Sequence, residues 1–261
     1  MASKIIRIPI EKEKERWAGL FDIHVPETDW KAWGACRSYL GSRSWDGVVL
    51  GGDICTFKSI CHHEKGVLRK IEGKRLEKDF VALEGILEEI RDTVGANKKY
   101  AYILGNHEDW LNRYLDEHPE LEGLPSFDLV GRIRKIIPQC VWVPQWTKGN
   151  VLSIGKANFI HGPRRGRGCS KVLSDYGGNT FFGHEHHDNY ISHSTLEDNE
   201  TRGAQCCGCF QDPRVEYMKG APTRQVHGFA EFEFFKNGYF SYRIHKIFNG
   251  KFMMDGKVYK G

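Results

Sequence analysis

The sequence predicts an α/β fold, on three observations. Strand-like and helix-like segments alternate through the first two thirds of the chain, the pattern of βαβ units in a layered sheet. Five short apolar runs, WAGLF, GVVLGG, YAYILG, KANFI and NTFFG, have the length and make-up of buried strands. Each run ends in residues able to hold a metal ion: Asp22 and His24, Asp53, Asn106 and His107, His161, and His184 with His186. In open α/β sheets ligands gather just outside the carboxyl ends of the strands. The chain therefore delivers carboxylate, amide and imidazole groups from distant segments to one rim.

Taken in order, the strand WAGLFDIH leads into TDWKAWGACRSYLG, where Thr28 or Asp29 caps a helix and Gly41 ends it. The strand GVVLGGD follows. From about Arg75 to Val94, Leu76, Phe80, Leu83, Ile86, Leu87 and Ile90 recur at helical spacing, and Gly95 closes the helix. KYAYILGN is the next strand, and EDWLNRYLDEH is helical until Pro119 interrupts it. Then the pattern changes. VWVPQW, VLSIGKANFI and NTFFGH read as strands with few long helices between them, and VHGFAEFEFFKNGYFSYRIHKIFNGKF reads as a meander with turns at Lys236-Asn237-Gly238 and Asn249-Gly250. Residues 194–223, rich in glycine, cysteine and charge, read as a surface insertion or lid.

A chain of 261 residues supports one large domain with a substantial core, and no linker or repeat divides it, so residues 1–261 are read as one domain. With 40% hydrophobic and 28% charged residues it falls in the soluble globular class. No apolar stretch approaches the roughly 20 residues that span a bilayer. The start, MASKIIRIPIEKEKERW, lacks the apolar run of a secretory signal, so a cytoplasmic setting without membrane contact is expected. There the eight cysteines stay reduced. A net charge of +4 does not by itself point to nucleic acid.

Residues i and i+2 of an extended chain point to one side. Asp22 and His24 are therefore expected to face one metal together, and His184 and His186 to reach one site. Nitrogen and oxygen ligands without thiolate favour manganese, iron, zinc or a related divalent ion. Seven candidate ligands (Asp22, His24, Asp53, Asn106, His161, His184 and His186) exceed what one tetrahedral ion needs, which points to two. Two such ions about 3.5–4 Å apart repel by on the order of 15–20 kcal/mol at an effective dielectric of 20. A bridging carboxylate and a bridging hydroxide offset that repulsion. Asp53, on a Gly-Gly turn that lets the backbone approach closely, is the bridging candidate. The hydroxide is then the natural nucleophile.

The ordered set Asp22-Ile23-His24, Gly52-Asp53, Gly105-Asn106-His107-Glu108, His161-Gly162 and Gly183-His184-Glu185-His186 resembles the calcineurin-like metallophosphoesterase superfamily. Single motifs of this kind are common, but five in this order at strand ends are specific. The motifs run from about residue 20 to 187. The resemblance implies an α/β four-layer α/β/β/α sandwich with a mixed central pair of sheets and a dinuclear site at the sheet edge. It also implies that Asp22, His24 and His186 bind one metal, that Asn106, His161 and His184 bind the other, and that Asp53 bridges them. His107 matches the catalytic histidine that contacts the phosphate or protonates the leaving oxygen, as an alkoxide leaving group requires. Glu108 is expected to orient or stabilise His107.

Other features have plainer readings. His187 and His193 read as loop residues, and His62 and His63 as a solvated helix start. Cys206, Cys207 and Cys209 match zinc-finger spacing poorly and read as unpaired thiols. The aromatic residues near Trp142, Trp146 and Phe229 to Phe240 read as core. Directly after His161, GPRRGRGCSK places Arg164, Arg165, Arg167 and Lys171 at the rim. They form either a solvated basic loop or a clamp for phosphates, since guanidinium forks suit phosphate oxygens.

Within the resemblance, the protein Ser/Thr phosphatase branch continues its second motif as GDxVDRG, whereas this chain reads GGDICTFKS and lacks that arginine. The lariat-debranching branch replaces the first aspartate by cysteine, whereas Asp22 is intact. The basic loop turns the expectation toward a phosphodiesterase or nuclease acting on a nucleotide or nucleic acid. The alternatives are a phosphomonoesterase on protein or small molecules, and a non-catalytic nucleic-acid-binding protein on this scaffold.

Overall fold

The computed structural model describes residues 4–163, 168–194, 200–215 and 223–261. The chain starts with β1 (Ile5–Ile8), β2 (Lys14–Leu20), α1 (Trp30–Leu40), β3 (Gly47–Leu50), the single turn α2 (Leu68–Ile71), α3 (Leu76–Val94) and β4 (Lys99–Ile103). It continues through α4 (Asn106–Glu117), α5 (Leu129–Ile136), β5 (Val141–Val143), α6 (Gln145–Lys148), β6 (Val151–Ile154), β7 (Ala157–Phe159) and α7 (Gly168–Tyr176). The remainder is β: β8 (Asn179–Phe182), β9 (Tyr190–Ser194), β10 (Thr201–Cys206), β11 (Gly228–Phe235), β12 (Phe240–Lys246), β13 (Lys251–Met254) and β14 (Lys257–Lys260).

The strands form two six-stranded mixed sheets, ordered β12-β11-β2-β3-β4-β5 and β1-β6-β7-β8-β10-β9, with β13 and β14 as a separate hairpin. In the first sheet β2 to β5 run parallel, and β11 joins antiparallel to β2. Side-chain alternation along these strands builds the layers. Ala18, Leu20, Val48, Leu50, Tyr100 and Tyr102 face outward, onto residues of α1, α3 and α5 such as Trp33, Phe80, Leu83 and Ile133. Trp17, Phe21, Val49, Ala101 and Ile103 face inward, against Leu152, Ile154, Phe159 and Phe181 of the second sheet. The far face of that sheet packs Ile160, Phe182, Ala204 and Cys206 on Cys169, Val172 and Leu173 of α7. The order is helices, sheet, sheet, helix, the α/β/β/α sandwich. Among the described residues, no helix is long and apolar enough to cross a membrane.

Local chemistry explains most element ends. Asp29, rather than Thr28, caps α1: its carboxylate accepts from the backbone N–H groups of Lys31 and Ala32, both at 3.0 Å. The Thr28 hydroxyl instead donates to the Ile23 carbonyl at 2.7 Å. Gly51 follows β3 because the Phe21 ring lies there; a Cβ at Gly51 would stand 2.0 Å from Phe21 Cδ1. The expected surface insertion at 194–223 is corrected in part. Residues 195–199 and 216–222 lie outside the described residues, but β10 pairs with β8 and β9 inside the second sheet. Ala204, Cys206, Cys207, Cys209 and Phe210 are fully buried. Small residues are needed there because α7 lies close against the strand.

One carboxylate holds the strand ends of the first sheet together. Glu108, fully buried, accepts from Asp53 N–H (2.9 Å) and Gly105 N–H (3.0 Å) on one oxygen. Its other oxygen accepts from Ile54 N–H (2.8 Å), Cys55 N–H (3.3 Å) and the Tyr102 hydroxyl (2.8 Å). Glu108 therefore fixes the turn that follows β3 rather than orienting His107. Burial, and then the nearby Asp53 carboxylate, push Glu108 up to about 7, while the Tyr102 hydroxyl and the Asp53 N–H favour its charged form. Replacing it with an amide sets an N–H against these donors. Glu108→Gln is expected to cost about 2–3 kcal/mol and to lower Tm by roughly 5–10 °C in thermal denaturation. An unchanged Tm would remove the clamp from the account of this rim.

Candidate metal centre

All seven candidate ligands lie past the ends of their strands. β2 stops at Leu20 and β3 at Leu50, so Asp22, His24 and Asp53 sit in the turns beyond. Their φ angles are 49°, 58° and 50°, and those of His184 and His186 are 66° and 58°. The pairs Asp22/His24 and His184/His186 are therefore not extended, and strand alternation does not aim them. Left-handed backbone does, at a cost of roughly 1–2 kcal/mol for a non-glycine residue. The turns are held by backbone bonds that continue the ladder: Asp22 N–H to Gly52 O (3.1 Å), His24 N–H to Asp53 O (3.0 Å) and Val25 N–H to Ile54 O (2.9 Å). Gly52, at φ 89°, has no room for a side chain, since a Cβ would lie 2.6 Å from His161 Nδ1.

Two groups form. In the first, Asp22, His24 and His186 bring their donor atoms within 4.8 Å of one another. His24 Nε2 and His186 Nε2 face each other at 3.1 Å, and Asp22 Oδ1 lies 3.4 Å from His186 Nε2 and 3.8 Å from His24 Nε2. In the second, Asp53, His161 and His184 converge in the same way. Asn106 Oδ1 joins them, 3.0 Å from His161 Nε2 and 2.7 Å from His184 Nδ1. Asp53 Oδ2 lies 3.2 Å from His161 Nε2 and 3.9 Å from His24 Nε2, so Asp53 stands between the groups. His107 reaches the same carboxylate from the other side, Nε2 to Oδ2 3.8 Å.

The two sheets share the donors. Asp22, His24, Asp53 and Asn106 follow β2, β3 and β4 of the first sheet, whereas His161, His184 and His186 follow β7 and β8 of the second. The His184 N–H donates to Asp22 Oδ2 at 2.8 Å, and the His107 N–H, in the first turn of α4, donates to Asp53 Oδ1 at 2.9 Å.

The residues fit divalent cations. Asp22 Oδ1 is buried and has no hydrogen-bond partner among the described residues, although two imidazole nitrogens stand beside it. A buried carboxylate oxygen in that state is costly unless a cation satisfies it. Burial opposes the charge of Asp53, yet His161 and His107 hold it well below the usual carboxylate range. Burial, and then His161, push His184 down to about 4, which keeps a lone pair free on its imidazole. His161 is also buried, but Asp53 pushes it up to about 9, so positive charge is favoured between these atoms.

Several residues at the site were not read as functional from the sequence, Trp146 among them, which was read as core. Gln145 accepts the His161 N–H at 3.3 Å, and the Trp146 ring stands 5.6 Å from the His161 ring and 5.1 Å from the His184 ring. Gln225 Nε2 lies 2.9 Å from His186 Nδ1 and 3.0 Å from Gln211 Oε1. Arg164, Arg165 and Arg167 lie outside the described residues. Lys171 is on α7 and pairs with Asp175 at 2.6 Å. The three clustered cysteines diverge: Cys206 packs toward α7, Cys207 lies between the sheets, and Cys209 is buried near His186. His187 and His193 belong to neither group, and His63 lines a cavity beside His107.

No family model and no curated protein matches the chain. Among solved structures, it is similar to vacuolar protein sorting 29 from Cryptosporidium parvum, with 12% identity, a TM-score of 0.46, and coverage of 96% of this chain and 97% of that one. It is similar to a metallophosphoesterase from Sphaerobacter thermophilus, with 15% identity, a TM-score of 0.45, and coverage of 90% and 88%. It is also similar to zinc-complexed Vps29 from Entamoeba histolytica, with 13% identity, a TM-score of 0.43, and coverage of 94% and 97%. Two mixed six-stranded sheets lie between helices in an α/β/β/α sandwich, and Asp/His triads gather past its strand ends.

Proposed function

We propose that the chain is a dinuclear metal-dependent phosphoester hydrolase and that it acts on phosphomonoesters. The observation that carries this reading is the pair of adjoining triads with Asp53 between them and a buried, unpartnered Asp22 oxygen. Asp22, His24 and His186 would hold one ion and Asn106, His161 and His184 the other, with Asp53 standing between the two groups. Divalent ions bound there supply Lewis acidity toward phosphoryl oxygens and acidify the attacking water. Manganese, iron and zinc all suit this donor set.

The chain's own residues do the rest. Glu108 locks the Asp53 turn, so the carboxylate is in place before substrate arrives. The His107 Nδ1–H donates to the Thr56 carbonyl at 2.8 Å, which leaves Nε2 as the atom facing the site. When the ring is charged, that Nε2–H is the proton donor to the leaving oxygen. Burial pushes His107 down, which makes its imidazolium a stronger acid. The Trp110 ring, 4.1 Å from the His107 ring, holds the imidazole in place.

Support for the monoester side comes from the space beside His107. A cavity of about 300 Å³ opens there, at the small end of ligand pockets and suited to a small organic group. A phosphodiester in a nucleotide or nucleic acid is the second reading, carried by Arg164, Arg165 and Arg167 directly after His161. A metal-supplemented screen of an aryl monoester, an aryl diester, cyclic nucleotides, DNA, RNA and a phosphopeptide separates the two. Inertness across the panel with metal bound would favour a non-catalytic binding protein.

Asp53→Asn is expected to lower bound metal in elemental analysis and to cut hydrolysis by at least about a hundredfold; full activity would sink the dinuclear reading. His107→Ala is expected to keep its metal content while kcat falls by about 10²–10⁴. The loss should be larger for an alkyl phosphate than for p-nitrophenyl phosphate, and equal losses would remove the acid role. Arg164→Ala with Arg165→Ala should weaken kcat/KM for nucleic acid by about tenfold or more relative to an aryl ester, if those guanidinium groups contact phosphate. Equal change in both substrates would leave the run a solvated loop.

A further inference from the structure

The cavity beside His107 has a chemical character that narrows the substrate. Its inner end is Asn106 and His107, and its walls come from Thr56 to Lys70 and from Trp110 on α4. The metal-centre residues and this cavity therefore share an edge. A phosphoester whose phosphorus lies at the centre has its leaving oxygen beside His107, and the group carried by that oxygen enters the cavity.

Trp110 and Cys61 give the cavity a buried apolar side. A charged cluster lines the same cavity. Lys58 Nζ lies 2.8 Å from Glu64 Oε1, Lys70 Nζ lies 3.5 Å from the same oxygen, and Lys74 Nζ lies 3.8 Å from Glu64 Oε2. Of these, Lys58, Lys70 and Glu64 line the cavity, and Lys70 is the more exposed of the two lysines. Two further carboxyl groups, Glu27 and Asp79, lie near the cluster but do not line the cavity, and burial pushes both up toward the neutral form. The Asp79 carboxylate is also engaged by Ser59, whose N–H donates at 3.1 Å and whose hydroxyl donates at 2.5 Å. Exposed His63 stands at the edge of the cavity, its ring 5.8 Å from that of Trp110.

We infer that this cavity is the leaving-group subsite and that it selects small phosphomonoesters whose leaving group carries a second negative charge, a carboxylate or a further phosphate, with Lys70 as the specificity-determining residue. A volume of about 300 Å³ holds a sugar or one aromatic ring, and no folded macromolecule. Lys70 is the exposed ammonium of the pair, its side chain 42% accessible against 11% for Lys58, so it meets an incoming anion first. This inference rests on the phosphomonoesterase reading above.

Phenyl phosphate and 3-carboxyphenyl phosphate form a matched pair that differ by one carboxylate. With metal-loaded protein, kcat/KM is expected to favour the carboxylated ester by about tenfold, the scale of one charge-assisted contact. Lys70→Gln should bring that ratio close to one, and Lys70→Glu should bring it below one. Thermal denaturation of both variants identifies any loss of fold, and the ratio is read on the variant that stays folded. Turnover of both esters with a ratio near one, or a ratio that both variants leave unmoved, overturns the subsite and leaves the phosphomonoesterase reading standing. Hydrolysis of diesters alone, or of nothing, overturns both.

Discussion

Two buried carboxylates, Asp53 and Glu108, stand close enough that each raises the cost of the other's charge, and the rim depends on how that cost is met. Glu108 meets it with four backbone N–H groups and the Tyr102 hydroxyl. Asp53 meets it with the His107 N–H at the start of α4 and with the surrounding imidazoles. The division leaves one carboxylate saturated by backbone and hydroxyl donors and the other facing imidazoles. Only the second has coordination capacity to offer a ligand. The structural and chemical roles are thus separated by what each oxygen touches, although both residues are buried acids in adjoining turns.

Backbone strain at the site follows from the same need. Asp22, His24, Asp53, His184 and His186 all adopt left-handed backbone. Extended continuation would have kept Asp22 with His24, and His184 with His186, on one face of their own sheets. Turning the chain just past each strand end brings side chains from two sheets to one place. The burial of Trp17, Phe21, Val49, Phe159 and Phe181 between the sheets lies directly beneath the strained turns and over-determines them.

Much of the fold was legible because its signals are local. The apolar runs of β2, β3, β4, β7 and β8, the Asp29 cap and the periodicity of α3 each need only a few neighbouring residues to read. β1 and β10 were hidden because partners far away in sequence define them. Ile5–Ile8 is an edge strand bounded by charge that pairs with Val151–Ile154. Thr201–Cys206 carries small residues because α7 covers it. The candidate ligands stood out in the sequence because few side chains can bind a cation. Gln145, Trp146 and Gln225 did not, since ordinary glutamines and tryptophans acquire a role only through position. The aiming of Asp22 and His24 was misread for a related reason: spacing in sequence does not reveal where a strand stops.

The donors come from both sheets, and that has a mechanical consequence. The interface between the sheets is apolar and non-directional, so its packing alone tolerates small sliding of one layer on the other. A cation gripped at the rim would act as a rivet through the two plates, because releasing it requires His161, His184 and His186 to part from Asp22, His24 and Asp53. Loading and rigidity then become one variable: shear between the sheets loosens the grip, and a tighter grip stiffens the whole sandwich far from the rim.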